Sequence, residues 1–277
     1  MILWTSQYNH VDSNVQVVTR RGHIDYTEVF AEPAGWAPDS RHLAINHFDP
    51  TDSPTDVVVR DLRTGDVWRL GTYGFGEVHW SPGGNLIAYA SNGFIYTVRT
   101  NRTGRHRVIR AADVFALQWS GDGKLLAYQG SSSRGYGAVY VVAPDGGKRR
   151  RIGTGDTSWS WSPRGRVLAL NRTLIDFASG RRWRVLPRRV GGVRYAVWAP
   201  NGRTLAYVTR TGLYVVDASG HHGHLVRWPK EQPTSGPSWS HDSRALAFAT
   251  GTGLYSVRAN GKDLGYVPLN WCDATSS

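Results

Sequence analysis

Three histidines, His221, His222 and His224, form the densest group of side chains that could bind a metal. Imidazole nitrogens bind zinc and similar ions, so this group is a candidate metal site. Gly220 and Gly223 interrupt the group, however, and a strand-like segment lies on either side. We therefore expect an exposed polar hairpin here, with no metal and no cofactor.

The segment 48–56 carries three carboxylates, Asp49, Asp52 and Asp56, that could offer oxygens to calcium. Their spacing does not match the calcium-loop pattern, because no glycine stands at the sharp bend. Aspartate and proline are also the residues that build solvated turns. A solvated loop is the interpretation that we adopt.

Catalytic signatures are absent from the sequence. It has no G-x-S-x-G, H-E-x-x-H or G-x-x-x-x-G-K-[ST] motif. The carboxylates Glu77, Asp156 and Glu231 lie in connections between strand-like segments, but linear spacing does not show whether they converge. Cys272 is the only cysteine, so no intrachain disulfide can form, and we expect an inert structural thiol. No residue is assigned a catalytic role.

A five-residue turn recurs six times along the chain and marks the start of each repeat. Its tryptophans are 37 to 44 residues apart, a spacing typical of propeller blades. Proline fixes φ at the second turn position, and a following Asp, Asn or Gly tolerates positive φ. The six copies are WAPDS (36–40), WSPGG (80–84), WSGDG (119–123), WSPRG (161–165), WAPNG (198–202) and WSHDS (239–243).

Each turn is followed by a short apolar strand, a loop, a second apolar strand, a glycine turn and a more polar strand. Four short strands per repeat indicate a four-stranded antiparallel blade. The first apolar strands are predicted at 43–47, 86–90, 125–129, 167–171, 205–209 and 246–250. The second are predicted at 57–61, 95–99, 139–143, 174–178, 213–217 and 254–258.

The two ends of the chain suggest how the blades close into a ring. Residues 3–31 align with a repeat that lacks its first strand, and 268–277 ends with Trp271 placed like a motif tryptophan. The sequence therefore predicts an all-β, seven-bladed β-propeller over 1–277, a single domain in which N- and C-terminal strands share one blade. The alternative is six blades with an N-terminal appendage.

The succession of a Trp-Ser-Pro-Asp-Gly-like turn, LAY and LYVVD-x-x-G resembles the TolB-type, WD40-like propeller repeat over essentially the whole chain. The Gly-His and Trp-Asp pair of WD repeats does not recur. The resemblance implies a bacterial protein that is secreted or located at the cell envelope. The α/β domain of TolB and the hydrolase domain of related peptidases are not present in the sequence.

Ligands of propellers bind at one end of the central channel, where connections from fourth to first and from second to third strands meet. Exposed aromatic and Arg side chains in these connections suit sugars, peptides or anionic groups. The candidate ligand-binding residues are Tyr73, Phe75, Phe115, Arg134, Tyr136, Arg188, Arg194 and Tyr195.

The charge of the chain is strongly positive, at +12, and only four lysines contribute to it. Arginines occur in every repeat rather than in one basic tail, which argues against nucleic acid as a partner. No apolar run reaches membrane-spanning length, and we expect no signal peptide within 1–13.

The prediction is thus a monomeric, non-catalytic binding scaffold for a protein, peptide or glycan, with an anionic ligand a further candidate. The alternative is a propeller enzyme, a polysaccharide lyase or glycosidase acting on an acidic polymer.

Overall fold

A computed structural model gives the structure of the protein. It describes residues 14–18, 24–29, 31–48, 54–72, 78–111, 114–132, 135–153, 158–187, 190, 192–220, 223–226, 233–234 and 236–267. All regular elements within these ranges are β-strands, 26 in number. None of the described ranges holds a helix long and apolar enough to cross a membrane. The chain divides into two compact units, Met1–Gly155 and Asp156–Ser277.

The first unit contains one two-stranded and three four-stranded antiparallel sheets. The two-stranded sheet pairs β1 (Asn14–Val18) with β2 (Ile24–Val29). The four-stranded sheets are β3 (Ala31–Trp36), β4 (His42–Phe48), β5 (Pro54–Asp61), β6 (Val67–Thr72); β7 (Val78–Trp80), β8 (Leu86–Ser91), β9 (Phe94–Arg99), β10 (His106–Arg110); and β11 (Val114–Trp119), β12 (Leu126–Ser132), β13 (Gly135–Val142), β14 (Arg150–Gly153). The first strands of successive sheets lie against each other: β3 contacts β7, and β7 contacts β11.

The second unit contains three more four-stranded antiparallel sheets. They are β15 (Trp159–Trp161), β16 (Val167–Leu170), β17 (Thr173–Asp176), β18 (Arg182–Arg184); β19 (Val193–Trp198), β20 (Thr204–Thr209), β21 (Leu213–Asp217), β22 (Gly223–Val226); and β23 (Ser238–Trp239), β24 (Ala245–Thr250), β25 (Gly253–Arg258), β26 (Gly265–Val267). The first strands β15 and β19 again lie against each other.

Each of the apolar strands predicted in the six repeats is found, and the predicted four-stranded antiparallel blade is confirmed six times. This supports the six-blade alternative. Of the strands assigned to a seventh blade, β1 and β2 form a two-stranded sheet, while 3–7 and 268–277 lie outside the described residues. The assignment of 1–277 to a single domain stays a prediction.

The apolar strands are continuous because neighbouring sheets cover both of their faces. In β8, Ile87 and Tyr89 pack into a core shared with the first four-stranded sheet. Ala88 and Ala90 point the other way, into a core shared with the third. Alternate residues of a strand face opposite sides, so a strand covered on both sides must be apolar throughout.

The tryptophan turn places positive φ on its fifth residue, one position later than the sequence suggested. Where the fourth residue is Asp or Asn, its side chain accepts a backbone amide two residues later. The Asp39 carboxylate, for example, accepts the Arg41 amide at 2.8 Å. The fifth residues are Ser40, Gly84, Gly123, Gly165, Gly202 and Ser243, with φ between 56° and 71°.

The motif tryptophans join adjacent sheets by a hydrogen bond as well as by bulk. In three repeats the indole Nε1–H donates to a backbone carbonyl of the preceding sheet's first strand. The pairs are Trp119 to His79 (2.9 Å), Trp198 to Ser160 (3.2 Å) and Trp239 to Val197 (3.1 Å). The rings also pack in the cores between neighbouring sheets, and the bond fixes their orientation.

Several arginines stack on aromatic rings, and these contacts give them a structural role. A guanidinium over a ring contributes through cation–π attraction. The distances to the ring centre are 4.0 Å (Arg149 to Tyr140), 4.4 Å (Arg105 to Tyr96), 4.8 Å (Arg102 to Trp68 and Arg107 to Phe94) and 4.9 Å (Arg181 to Trp183).

One of these stacks belongs to a three-residue unit in the third four-stranded sheet that is incomplete in the sheet β19–β22. In the third four-stranded sheet, Arg149 stacks on Tyr140 and donates Nε–H to the hydroxyl of buried Tyr128 at 2.9 Å. In the sheet β19–β22, strand pairing places Gly223 where Arg149 would stand. The hydroxyl of buried Tyr207 there has no partner among the described residues, and burial raises its pKa.

We expect Tyr207→Phe and Tyr128→Phe to change stability in opposite directions. Tyr207→Phe removes a buried, unpartnered hydroxyl and should raise the free energy of unfolding by up to about 1 kcal/mol. Tyr128→Phe removes the partner of Arg149 and should lower it by about 1 kcal/mol. Urea titration of both variants measures the difference. Equal changes of the same sign in the free energy of unfolding would refute the difference in hydrogen bonding between the two hydroxyls.

Candidate functional site

A cavity of about 690 Å³ lies at one end of the sheet β19–β22. It is bounded by the start of β19, the hairpin between β20 and β21, and the segment before β23. These are the kinds of connection in which the sequence placed a ligand site. The volume lies within the usual range of ligand pockets. The lining residues are Gly192, Val193, Arg194, Tyr195, Arg210, Pro233 and Thr234.

The hairpin that carries Arg210 is held by its own side chains. The buried Thr209 hydroxyl donates to the Gly212 carbonyl at 3.0 Å. The same oxygen accepts the amides of Thr211 at 3.1 Å and of Gly212 at 3.2 Å. Arg210 therefore projects from the tip of a defined turn, and its side chain is exposed.

The next sheet repeats this hairpin with one difference. Thr250, Thr252 and Gly253 make the corresponding contacts, with Thr250 Oγ1 3.3 Å from the Gly253 carbonyl and 3.1 Å from Thr252 Oγ1. At the tip this hairpin has Gly251 where the other has Arg210. Both sheets therefore have the same turn, whereas only the sheet β19–β22 has an arginine at its tip.

Arg194 enters the site through a β-bulge. The pairing of β19 with β20 shifts between Val193 and Tyr195, so Arg194 is the extra residue. A bulge bends the strand and re-aims its side chains, and bulges are common beside binding sites. The strand β11 has a bulge at the same distance from its tryptophan, and there the extra residue is Phe115, which is 50% exposed.

The opposite wall is tied to the last sheet. Thr234 donates its amide to the Ala249 carbonyl at 2.9 Å, and Pro233 beside it is buried. Gly236 lies under the ring of Tyr195, where an added Cβ would come within 3.3 Å of Cδ1. The Tyr195 ring is thus supported from one side, and its side chain is 36% exposed.

The lining supplies hydrogen-bond donors and positive charge. Arg194 and Arg210 each also interact within the protein. A guanidinium has five N–H donors, so such an interaction leaves capacity for a ligand. Within the described residues, no group of three or more His, Cys, Asp or Glu is placed to hold a metal ion. The arrangement can bind an anionic group and pack a ring or apolar surface against Tyr195.

Of the predicted ligand-binding residues, Arg194 and Tyr195 lie together in the cavity. Phe115 occupies the equivalent bulge in the other unit. Tyr136 lies in β13, but its side chain is not described, and the other four lie outside the described residues. These four are Tyr73, Phe75, Arg134 and Arg188. Arg210 was not among the predicted residues, although it lies in one of the connections between second and third strands. The comparison of TRTG with TGTG could have identified it.

The alternative chemistries singled out in the sequence have structural roles where they are described. His224 Nε2 lies 2.7 Å from the Ala259 carbonyl, which ties the hairpin to the next sheet. Asp56 forms an ion pair with Arg69 on the neighbouring strand. The remaining candidates lie outside the described residues. They are His221, His222, Asp49, Asp52, Glu77, Asp156, Glu231 and Cys272.

Comparison with known proteins finds similarity at the level of structure. No protein-family model matches the chain, and no curated protein does. An oligogalacturonate lyase from Vibrio parahaemolyticus superposes with a TM-score of 0.63 at 11% identity, covering 96% of this chain and 84% of that one. The Swd1 β-propeller domain from Myceliophteria thermophila gives 0.60 at 15%, covering 96% and 94%.

The fold is a β-propeller. TolB from Acinetobacter baumannii also matches, with a TM-score of 0.50 at 16% identity and coverage of 95% and 77%. The predicted TolB-like, WD40-like architecture is therefore confirmed, and each four-stranded sheet is a blade. At these identities the likeness concerns the fold alone, since one propeller fold carries many functions. The function of this propeller has to be argued from its cavity.

Proposed function

We propose that this propeller is a non-catalytic binding module whose ligand seat is the cavity of the fifth blade, β19–β22. The observation that carries the proposal is the convergence of Arg194, Tyr195 and Arg210 on one cavity from two separate connections. Tyrosine and arginine are the side chains most often found at energetic centres of binding sites. The partner class is a protein, peptide or glycan.

The first test screens the purified protein against arrays of glycans and of peptides, followed by titration of the best binder. We expect Tyr195→Ala and Arg194→Ala each to weaken binding at least about tenfold, since each removes a central contact. The matched control is Tyr266→Ala, which removes an exposed tyrosine from the outermost strand of the last blade.

Undiminished affinity in Tyr195→Ala and Arg194→Ala would place the ligand elsewhere and refute the proposed seat. Equal loss in Tyr266→Ala would indicate a general effect on the fold. Thermal unfolding of the three variants, compared with the parent protein, separates these cases.

The alternative, a propeller enzyme acting on an acidic polymer, is favoured by the two arginines of the cavity and by the lyase among its structural neighbours. Elimination from a uronic acid chain leaves a carbon–carbon double bond conjugated with the carboxylate, which absorbs ultraviolet light. Appearance of this absorbance during incubation with oligogalacturonate, and its loss in Arg210→Gly, would overturn the non-catalytic assignment.

A further inference from the structure

The cavity of the fifth blade is much larger than a simple anion needs. Its volume of about 690 Å³ corresponds to roughly twenty water molecules at liquid density. Two guanidiniums that served only phosphate or acetate would need a far smaller enclosure. The cavity therefore has room for a ligand larger than a simple anion.

Donors predominate among the side chains of the lining. The Arg194 and Arg210 guanidiniums carry N–H donors and no acceptor, and the donors that their contacts within the protein do not use can face a ligand. The only side-chain acceptors among the described lining residues are the hydroxyls of Tyr195 and Thr234. The ligand that satisfies this cavity is rich in acceptors. A peptide backbone offers donors and acceptors in equal number, whereas an acidic sugar offers a carboxylate, ring and bridging oxygens, and hydroxyls that accept.

The Tyr195 ring gives the same cavity an apolar surface in a fixed place. Gly236 supports the ring from one side, and about a third of the side chain is exposed. A pyranose ring can pack its C–H groups on such a surface while its carboxylate faces the guanidiniums. The carboxylate geometry suits arginine in particular, because the guanidinium can bond both oxygens.

We infer that the cavity binds an acidic oligosaccharide, with Arg210 and Arg194 bonding a uronic acid carboxylate and Tyr195 packing on the sugar ring. This inference rests on the proposed function and specifies its ligand class. The charge specificity resides in Arg210, because the otherwise equivalent hairpin of the sixth blade has Gly251. The Arg210→Gly substitution therefore installs a residue that this turn already accommodates.

The experiment titrates three probes into the full-length protein: a short oligogalacturonate, the same oligosaccharide with its carboxyls reduced to alcohols, and a glutamate oligomer of similar length. We expect the oligogalacturonate to bind at least about tenfold more tightly than either of the others. Arg210→Gly should weaken its binding about tenfold or more and leave the reduced oligosaccharide unaffected. Arg210→Lys should lie between, because it keeps the charge and loses the bidentate geometry.

The control is Arg203→Gly, which removes an exposed arginine that directly precedes β20, at the end of the strand opposite to Arg210. It changes the net charge equally, so a loss of affinity confined to Arg210→Gly excludes a general electrostatic effect.

The outcomes separate this inference from the proposed function. Equal affinity for the acidic and reduced oligosaccharides, with both weakened by Tyr195→Ala, would overturn the acidic specificity and leave the seat in place. Tighter binding of the glutamate oligomer, dependent on Arg210, would overturn the saccharide assignment in favour of a peptide. Absence of binding to all three probes would overturn the inference, and the array screen would still test the seat.

Discussion

Gly146→Ala is expected to lower the free energy of unfolding by about 3 kcal/mol or more. Gly146 has a φ of 83° in the turn between β13 and β14. An added Cβ would lie 2.4 Å from the carbonyl oxygen of Val108 in the outermost strand of the neighbouring blade. The substitution therefore combines a strained backbone with a clash against backbone, which cannot move aside as a flexible side chain does.

The control for this prediction is Gly65→Ala in the corresponding turn of the first blade. Gly65 has a similar φ of 77°, but an added Cβ would meet nothing within 4 Å. Gly65→Ala should therefore lower the free energy of unfolding by only about 1 kcal/mol, the cost of a positive φ for alanine. Urea titration of both variants gives the two losses. A similar loss of unfolding free energy in the two variants would show that the clash with the Val108 carbonyl oxygen does not contribute to the destabilisation.

Trp198→Ala is expected to lower the free energy of unfolding by about 3–5 kcal/mol, the range for truncation of a large buried aromatic side chain. Trp198 is 8% exposed and packs in the core between the fourth and fifth blades, with Leu205 and Leu174. Its indole also donates to the Ser160 carbonyl at 3.2 Å. Trp198→Phe keeps much of the apolar contact but loses this bond.

The contribution of the bond can be isolated with Trp161. This motif tryptophan is buried to the same extent, yet its Nε1 has no hydrogen-bond partner among the described residues. We expect Trp198→Phe to be about 1 kcal/mol more destabilising than Trp161→Phe. If the two substitutions cost the same in urea or thermal unfolding, shape alone holds the motif tryptophans in place.

The inner strands could be predicted from the sequence because burial on both faces leaves a continuous apolar run that no connection contains. Their ends were less accurate. The strand predicted at 174–178 ends at Asp176, since its carboxylate accepts the amide of Ala178 at 2.8 Å and turns the chain. Phe177 leaves the sheet and packs against Trp161, with ring centres 5.4 Å apart. An apolar residue beyond a turn has the same appearance in the sequence as one within a strand.

The candidate site was predicted in part, and for a definite reason. Arg194 and Tyr195 have the side-chain types of a binding surface and lie at the entrance to a first strand, so composition and position sufficed. The bulge that presents Arg194 is a matter of strand register, which the sequence does not display. Arg210 was not among the predicted residues, and its role depends on the position of its hairpin beside the start of β19, which linear spacing does not show.

The hairpins of the last two blades have the same turn but different residues at the tip. Thr209 and Gly212 hold one turn, Thr250 and Gly253 hold the other, and the second turn forms with Gly251, which has no side chain, at its tip. Mutation at that single position can therefore change the chemistry of the site with little cost to the fold. Each of the two hairpins thus offers a position whose side chain can be changed independently of the other.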